Sequence, residues 1–256
     1  MENKVSFSNV LYFFLAFLLT SCNKSTEPQI GRPMGKIYQN AFEKLKEADY
    51  DKASEEFDEV ERQYPYSSWA PKAQLMSAYS SYRKQNFERA IGTLDNFITL
   101  HPHHPEIAYA YYLRALCYYD DIAGVTKDPR VAELALEALT QILNRFASTP
   151  YGRDARFKRD YVFGHLAGQQ MSIGRFYLNQ KDYLSAFTRF QNVINLYPTS
   201  PQTPEALHRL VESALALGLS KEAQKAASVL GFNFPKSSWY KDTYALIKGG
   251  NEALGS

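Results

Sequence analysis

Few residues in this 256-residue chain have the type and spacing for chemistry, and the first is Cys22. It closes the run Leu19-Thr20-Ser21-Cys22, which resembles a bacterial lipobox: a branched apolar residue, two small residues and a cysteine. Small residues fit a peptidase cleft, and a thiol at the cut can carry a diacylglyceryl thioether. Ahead of it, Lys4 lies in a short n-region and Val10 to Leu19 is an apolar stretch of h-region size. That stretch is too short to span a hydrocarbon core, which needs about 20 apolar residues. Residues 1–21 therefore read as a lipoprotein signal peptide, with a coincidental cysteine after an ordinary secretory signal as the alternative. Several acyl chains on Cys22 would hold firmly where a single chain holds weakly. Asn23 follows, in place of the Asp that resembles an inner-membrane retention signal in some bacteria, so the outer membrane is the expected location. Residues 22–33 are polar with Pro and Gly and read as the lipidated tether.

Other reactive side chains point to less. His101-Pro102-His103-His104 puts three imidazoles in four residues, but no thiol or carboxylate stands at a recognisable ligand spacing, so a solvated turn is expected over a metal site. Asp120 and Asp121 are neighbours and diverge by about 100° on a helix, which suits loop capping better than paired acid–base work. His208 and Glu212, four apart, read as a surface pair. Cys117, the only other cysteine, lies in an apolar run and reads as a small buried hydrophobe, giving Cys22 no disulfide framework. No phosphate-cradling glycine loop, HExxH or GxSxG is present, so neither an enzyme nor a cofactor is expected beyond the covalent lipid. With 29 Lys+Arg against 27 Asp+Glu, there is no broad attraction to nucleic acid.

The elements that must position these residues repeat. Five junctions share an aromatic or His, usually Pro, and a small residue nine positions on: YPYSSWAPKA from Tyr64, HPHHPEIAYA from His101, FASTPYGRDA from Phe146, YPTSPQTPEA from Tyr197 and FPKSSWYKDT from Phe234. Between them run helical stripes such as Tyr50/Ala53/Phe57, Phe87/Ala90/Leu94 and Tyr183/Ala186/Phe190, with Ala223/Ala227 in the fifth unit. Ala41, Ala78 and Gly174 lie twelve residues before the alanine of the partner helix, whereas Ala115 lies twenty before Ala135. The surplus falls in DDIAGVTKDPR, a loop. The stretch from Asp154 to Gln180 holds no proline and reads as one long or two abutting helices. The expected fold is all-α: an α-solenoid of five tetratricopeptide-like helical hairpins over residues 34–248, followed by a tail at 249–256.

A curved stack of hairpins offers a concave face lined by its first helices. In register, that face carries Tyr38, Phe42 and Lys46, then Tyr79, Tyr82 and Arg83, then Tyr112. Aromatic rings with flanking cations suit an extended peptide with an aromatic end and a free carboxylate. The same rings could equally pack between helices.

Taken together, the lipobox at Cys22, the short tether, the YPYS-type junctions and the third unit HPEIAYAYYLRALCYYDD…DPRVAELALEALTQIL resemble the BamD family, tetratricopeptide lipoproteins of the outer-membrane β-barrel assembly machine. The resemblance covers nearly the whole mature chain. It implies a non-catalytic scaffold facing the periplasm. Its C-terminal repeats would dock on the POTRA domains of a BamA-like insertase, and its N-terminal repeats would receive unfolded outer-membrane β-barrel precursors. Other assembly-machine subunits would join it. The resemblance also implies an insertase contact at Arg189, in AFTRFQ, and less specifically a precursor groove at Tyr38, Phe42, Tyr79, Tyr82 and Arg83. The loop AGVTKDPR is shorter than in some members. The runner-up is a periplasmic adaptor lipoprotein for cell-wall hydrolases or proteases. A cell-division coordinator would need an N-terminal coiled coil for which the tether has no room, and a SusD-type glycan binder would be longer.

Overall fold

The computed structural model describes residues 31–124 and 129–254. The signal peptide, Cys22 and nearly all of the tether lie outside these residues, as do four residues of the loop in the third unit. Among the described residues there are eleven α-helices and no strand. Ten of them pair as hairpins: α1 (Met34–Lys46) with α2 (Tyr50–Gln63), α3 (Ala70–Arg83) with α4 (Phe87–Leu100), α5 (Ile107–Gly124) with α6 (Pro129–Phe146), α7 (Pro150–Asn179) with α8 (Tyr183–Leu196), and α9 (Thr203–Ala216) with α10 (Ser220–Asn233). The eleventh, α11 (Ser238–Leu254), continues past residue 248, where the sequence placed the solenoid's end.

One turn design closes most hairpins. A residue in the left-handed region ends the first helix, namely Ala48 (φ 59°), Gln85 (φ 65°), Lys181 (φ 62°) and Gly218 (φ 75°). The next amide reaches back to the last turn, as in Asp49 N to Lys44 O (3.0 Å) and Asp182 N to Tyr177 O (3.0 Å). This satisfies carbonyls that the helix end would otherwise strand. Asp49, Asn86 and Asp182 then cap the second helix by accepting from the amides of Lys52, Arg89 and Ser185.

Small residues set how closely helices approach. Ala41 and Ala53, Ala78 and Ala90, and Ala115 and Ala135 are fully buried within their hairpins. In the fourth hairpin, Gly174 faces the Phe190 ring, and a Cβ there would lie 2.5 Å from Phe190 Cε1. The small residue nine after each junction is fully buried in every unit: Ala73, Ala110, Ala155, Ala206 and Thr243. There the second helix of one hairpin packs on the first helix of the next. Four residues after the second-helix alanine, Phe57, Leu94, Leu139 and Phe190 fill the gap between helices and are fully buried. In the fifth unit this position is Ala227, which is only partly buried. Ala226 and Leu230 take up the core contact instead. The small side chain leaves a groove between α10 and α11 lined by Ala227, Gly231, Tyr240 and Tyr244.

The proline-free stretch is one continuous helix. Pro150 starts α7, Thr149 caps it by accepting from the Gly152 amide (3.2 Å), and it runs 30 residues, about 45 Å. Its first half packs beside α5 and α6, and its second half pairs with α8.

Gly174→Ala tests the close approach. Helix propensity favours alanine by about 1 kcal/mol, but the buried Phe190 ring must move, at a cost of about 1–3 kcal/mol. The expected outcome is a lower urea midpoint, whereas the same change at Gly168, where an added Cβ meets nothing within 4 Å, should raise it.

Candidate binding face

The first helices of successive hairpins touch at α3/α5 and α5/α7, and α11 touches α9, whereas among the described residues no pair of second helices approaches as closely. The first-helix side is therefore the inner side of the curve. Across it, the Glu106 carboxylate at the start of the third hairpin acts on Tyr38 in the first, adding to a burial that already pushes the Tyr38 hydroxyl up.

Along this face the expected residues fall into two groups. Arg83, at the end of α3, donates to Tyr79 Oη (2.9 Å) and, across to the first hairpin, to Tyr50 Oη (2.8 Å). Its guanidinium lies 5.1 Å from the Tyr50 ring centroid and 5.8 Å from that of Tyr79, an exposed cation held by two rings. Phe42 is 41% exposed, with Lys46 Nζ 4.9 Å above its ring. Tyr38 belongs elsewhere. It packs edge-on against Phe57 (5.3 Å) and Trp69 (4.9 Å), closing the first hairpin onto the second.

Tyr82 and Tyr112 form the second group, and both spend their hydroxyls on the next hairpin. Tyr82 Oη donates to Asp120 Oδ2 (2.6 Å), and Tyr112 Oη donates to Asp154 Oδ2 (2.6 Å). Burial first, and then the acceptor carboxylate, push both phenols up. Asp154 also receives Lys158 Nζ (2.7 Å). Burial would raise its carboxyl, but the hydrogen bonds from Lys158 and Tyr112 outweigh that and hold it below the ordinary range. Around this ladder Tyr151 stacks on Tyr112 (5.1 Å), Tyr109 leans on Tyr151 (5.8 Å), Tyr119 meets Tyr161 (5.6 Å), and Lys158 lies 5.3 Å over Tyr119. Sequence reasoning missed this belt beyond Tyr112. Tyr119 had a signal: it follows Ala115 by four residues, as Tyr82 follows Ala78.

The model of the YfiO family, described as an outer membrane lipoprotein, matches residues 31–230. The chain belongs to this family. Among its relatives, the outer membrane protein assembly factor BamD of Caulobacter vibrioides is 43% identical over 216 residues, covering 84% of this chain and 71% of the relative. The protein of the same name from Rickettsia prowazekii is 41% identical over 235 residues, covering 91% and 94%. That from Neisseria meningitidis serogroup B is 29% identical over 219 residues, covering 82% of each.

In this YfiO-family chain, Arg189 is remote from both groups. It lies half-buried on the second helix α8, and its Nη1 donates to Gln170 Oε1 (3.2 Å). It borders a cleft with Tyr177, Thr188 and Leu184, the last 64% exposed.

Three expectations change. Asp120 lies within α5, which continues through Asp121 to Gly124, and accepts from Tyr82 on α3, while the loop it was expected to cap lies outside the described residues. His208 is not on the surface. α11 covers it, Trp239 lies 5.2 Å from its ring, and it is 6% exposed. Thr243 gives its hydroxyl hydrogen to Trp239 O (2.8 Å), so His208 Nδ1 donates to Thr243 Oγ1 (2.8 Å), and Nε2 stands 3.5 Å from Glu212. The histidine turn is only partly solvated: His101 and His104 flank the Phe97 ring at 5.3 and 5.2 Å, and His104 Nδ1 accepts from the Glu106 amide (3.1 Å). Cys117 is buried as expected, its thiol pushed up to about 12 by burial and then by Asp120.

Tyr82→Phe leaves the Asp120 carboxylate without its donor and should lower stability by about 1–2 kcal/mol in urea unfolding. Tyr79→Phe, which loses only an exposed contact with Arg83, should leave the unfolding midpoint unchanged.

Proposed function

We propose that this protein is a non-catalytic lipoprotein scaffold of outer-membrane protein assembly, lipid-anchored through Cys22 and facing the periplasm. The observation that carries this reading is 41% identity to a named assembly factor over 91% of this chain and 94% of the relative. Likeness at that level, end to end, extends to the whole solenoid and not to one helical repeat.

On this reading the N-terminal half of the inner face receives unfolded β-barrel precursors. Arg83, between Tyr50 and Tyr79, offers a cation for a carboxylate beside rings for an apolar side chain, and Phe42 with Lys46 repeats the pairing one hairpin earlier. Tyr38 and Tyr82 serve this site by holding its walls, since one is packed and the other has given its hydroxyl to Asp120. Arg189 is the contact for the POTRA domains of a BamA-like insertase. A half-buried guanidinium beside an exposed leucine on the outer helices suits a docking surface that works independently of the groove.

A gentle-detergent pull-down of the lipoprotein from outer membranes, read by mass spectrometry, tests the whole reading. A stoichiometric barrel protein carrying POTRA domains is expected. Cell-wall hydrolases or proteases without it would mean an adaptor. Arg189→Glu should weaken insertase binding at least about tenfold without lowering thermal stability, and unchanged binding would remove this residue from the interface. Cys22→Ala should leave the solenoid folded and release it from membranes. A variant that still sediments with membrane after a high-salt wash, in a strain lacking the insertase, would refute the anchor.

A further inference from the structure

The corner where the chain enters the first hairpin carries a second, independent feature. Tyr64 Oη donates to the Arg32 carbonyl (2.9 Å), and Arg32 Nη1 and Nη2 reach the two carboxylate oxygens of Glu56 at 3.1 and 2.9 Å. Gly31 lies against Gln63 and Tyr64. The tether is thus fastened to the turn between the first two hairpins. Gly31 lies nine positions after Cys22, a reach of about 30 Å at full extension and less for a flexible coil.

The side chains at this corner have the chemistry of a membrane interface. Tyr66, at the tip of the turn, is fully exposed, and Trp69 is 40% exposed. Lys36 and Lys72, in the first turns of α1 and α3, are exposed, and the Arg62 side chain is 77% exposed. Of the nearby carboxylates, Glu56 and Glu59 are engaged by Arg32 and Arg62, and Glu43 and Glu55 line the same depression together with Lys44 and Lys52. The Tyr38–Trp69 contact (4.9 Å) brings the starts of α1 and α3 together, so Lys36 and Lys72, each in a first turn, lie at the same end of the two helices as the rings. Amphipathic rings favour the headgroup level, and lysines reach lipid phosphates.

The same motif recurs at the far end of the solenoid with a less exposed tryptophan. Pro65-Tyr66-Ser67-Ser68-Trp69 is matched by Pro235-Lys236-Ser237-Ser238-Trp239, with lysine in place of the tip aromatic. There Trp239 packs on His208 and beneath Arg209 (5.3 Å).

We propose that the turn at residues 64–69, with Lys36 and Lys72, rests on the anionic phospholipid headgroups of the membrane that holds the Cys22 lipid. The inference rests on the anchored reading above. It gives the solenoid a fixed attitude: its first hairpin lies against the bilayer, and α11 is at the other end of the stack.

The two tryptophans of the chain, Trp69 and Trp239, make the test direct. The full lipoprotein is reconstituted into vesicles of phosphatidylethanolamine and phosphatidylglycerol whose acyl chains are brominated near the headgroup. Flotation reports the anchor, and fluorescence quenching of the Trp239→Phe and Trp69→Phe variants reports the two ends. The expected result is flotation of both, with Trp69 losing about half its emission and Trp239 little. Adding Lys36→Glu, Tyr66→Ser and Lys72→Glu should keep flotation and abolish the difference, each lysine reversal weakening surface contact at least about fivefold. Flotation with equal quenching of both tryptophans, or a difference that survives the triple substitution, overturns the surface contact while leaving the anchor intact. Failure to float overturns the anchor, and the surface contact with it.

Discussion

The whole molecule depends on how closely two helices can pass within one hairpin. That distance is set by a pair of small residues such as Ala41 and Ala53, or Ala78 and Ala90, and in the fourth hairpin by Gly174 against the ring of Phe190. A close crossing leaves each hairpin with an apolar flank it cannot cover alone, so the next hairpin must cover it. Phe57, Leu94, Leu139 and Phe190 fill the seam from one side, and the small residue nine after each junction makes room from the other. Where the filler shrinks to Ala227, the seam gapes and α11 leans on α9 more than on α10. The curvature, and with it an inner face for binding, follows from these contacts.

Polar groups then fasten the inner face. Tyr82 to Asp120, Tyr112 to Asp154 and Arg175 to Glu205 (2.8 and 2.6 Å) each join the first helix of one hairpin to the first helix of the next. Partly buried hydrogen bonds to carboxylates are among the stronger ones available to a protein. The face is therefore braced where it would otherwise flex, and the hydroxyls that brace it are already paired. Arg83 and Phe42, at the end of the face, stay exposed to solvent, although Arg83 donates to two phenols. Arg189 stands on a second helix, α8, in a different helix layer from this face.

The sequence carried the solenoid clearly, because its signal is local and repeated: a junction, an alanine and an aromatic at helical spacing. The site was only half legible. Tyr79 and Arg83 share a helix face at a spacing of four, and their pairing could be anticipated. Tyr50 joins them from another hairpin, and nothing in the spacing of Tyr50 and Arg83 announces it. Asp120 and His208 depart from what their local sequence suggests for the same reason. Their partners, Tyr82 and Thr243, are 38 and 35 residues away.

By itself, then, the amino-acid order determined the helices, the five hairpins and the residues able to face inward, since backbone propensity, capping and apolar periodicity act within a few residues. Only the tertiary structure decided which inward residues are spent and which remain free. That choice depends on the angle at which one hairpin lies on the next, and the angle is the summed outcome of small-residue contacts along every seam. A phenol that meets a carboxylate across such a seam becomes part of the wall, and a guanidinium left at its rim stays exposed to solvent.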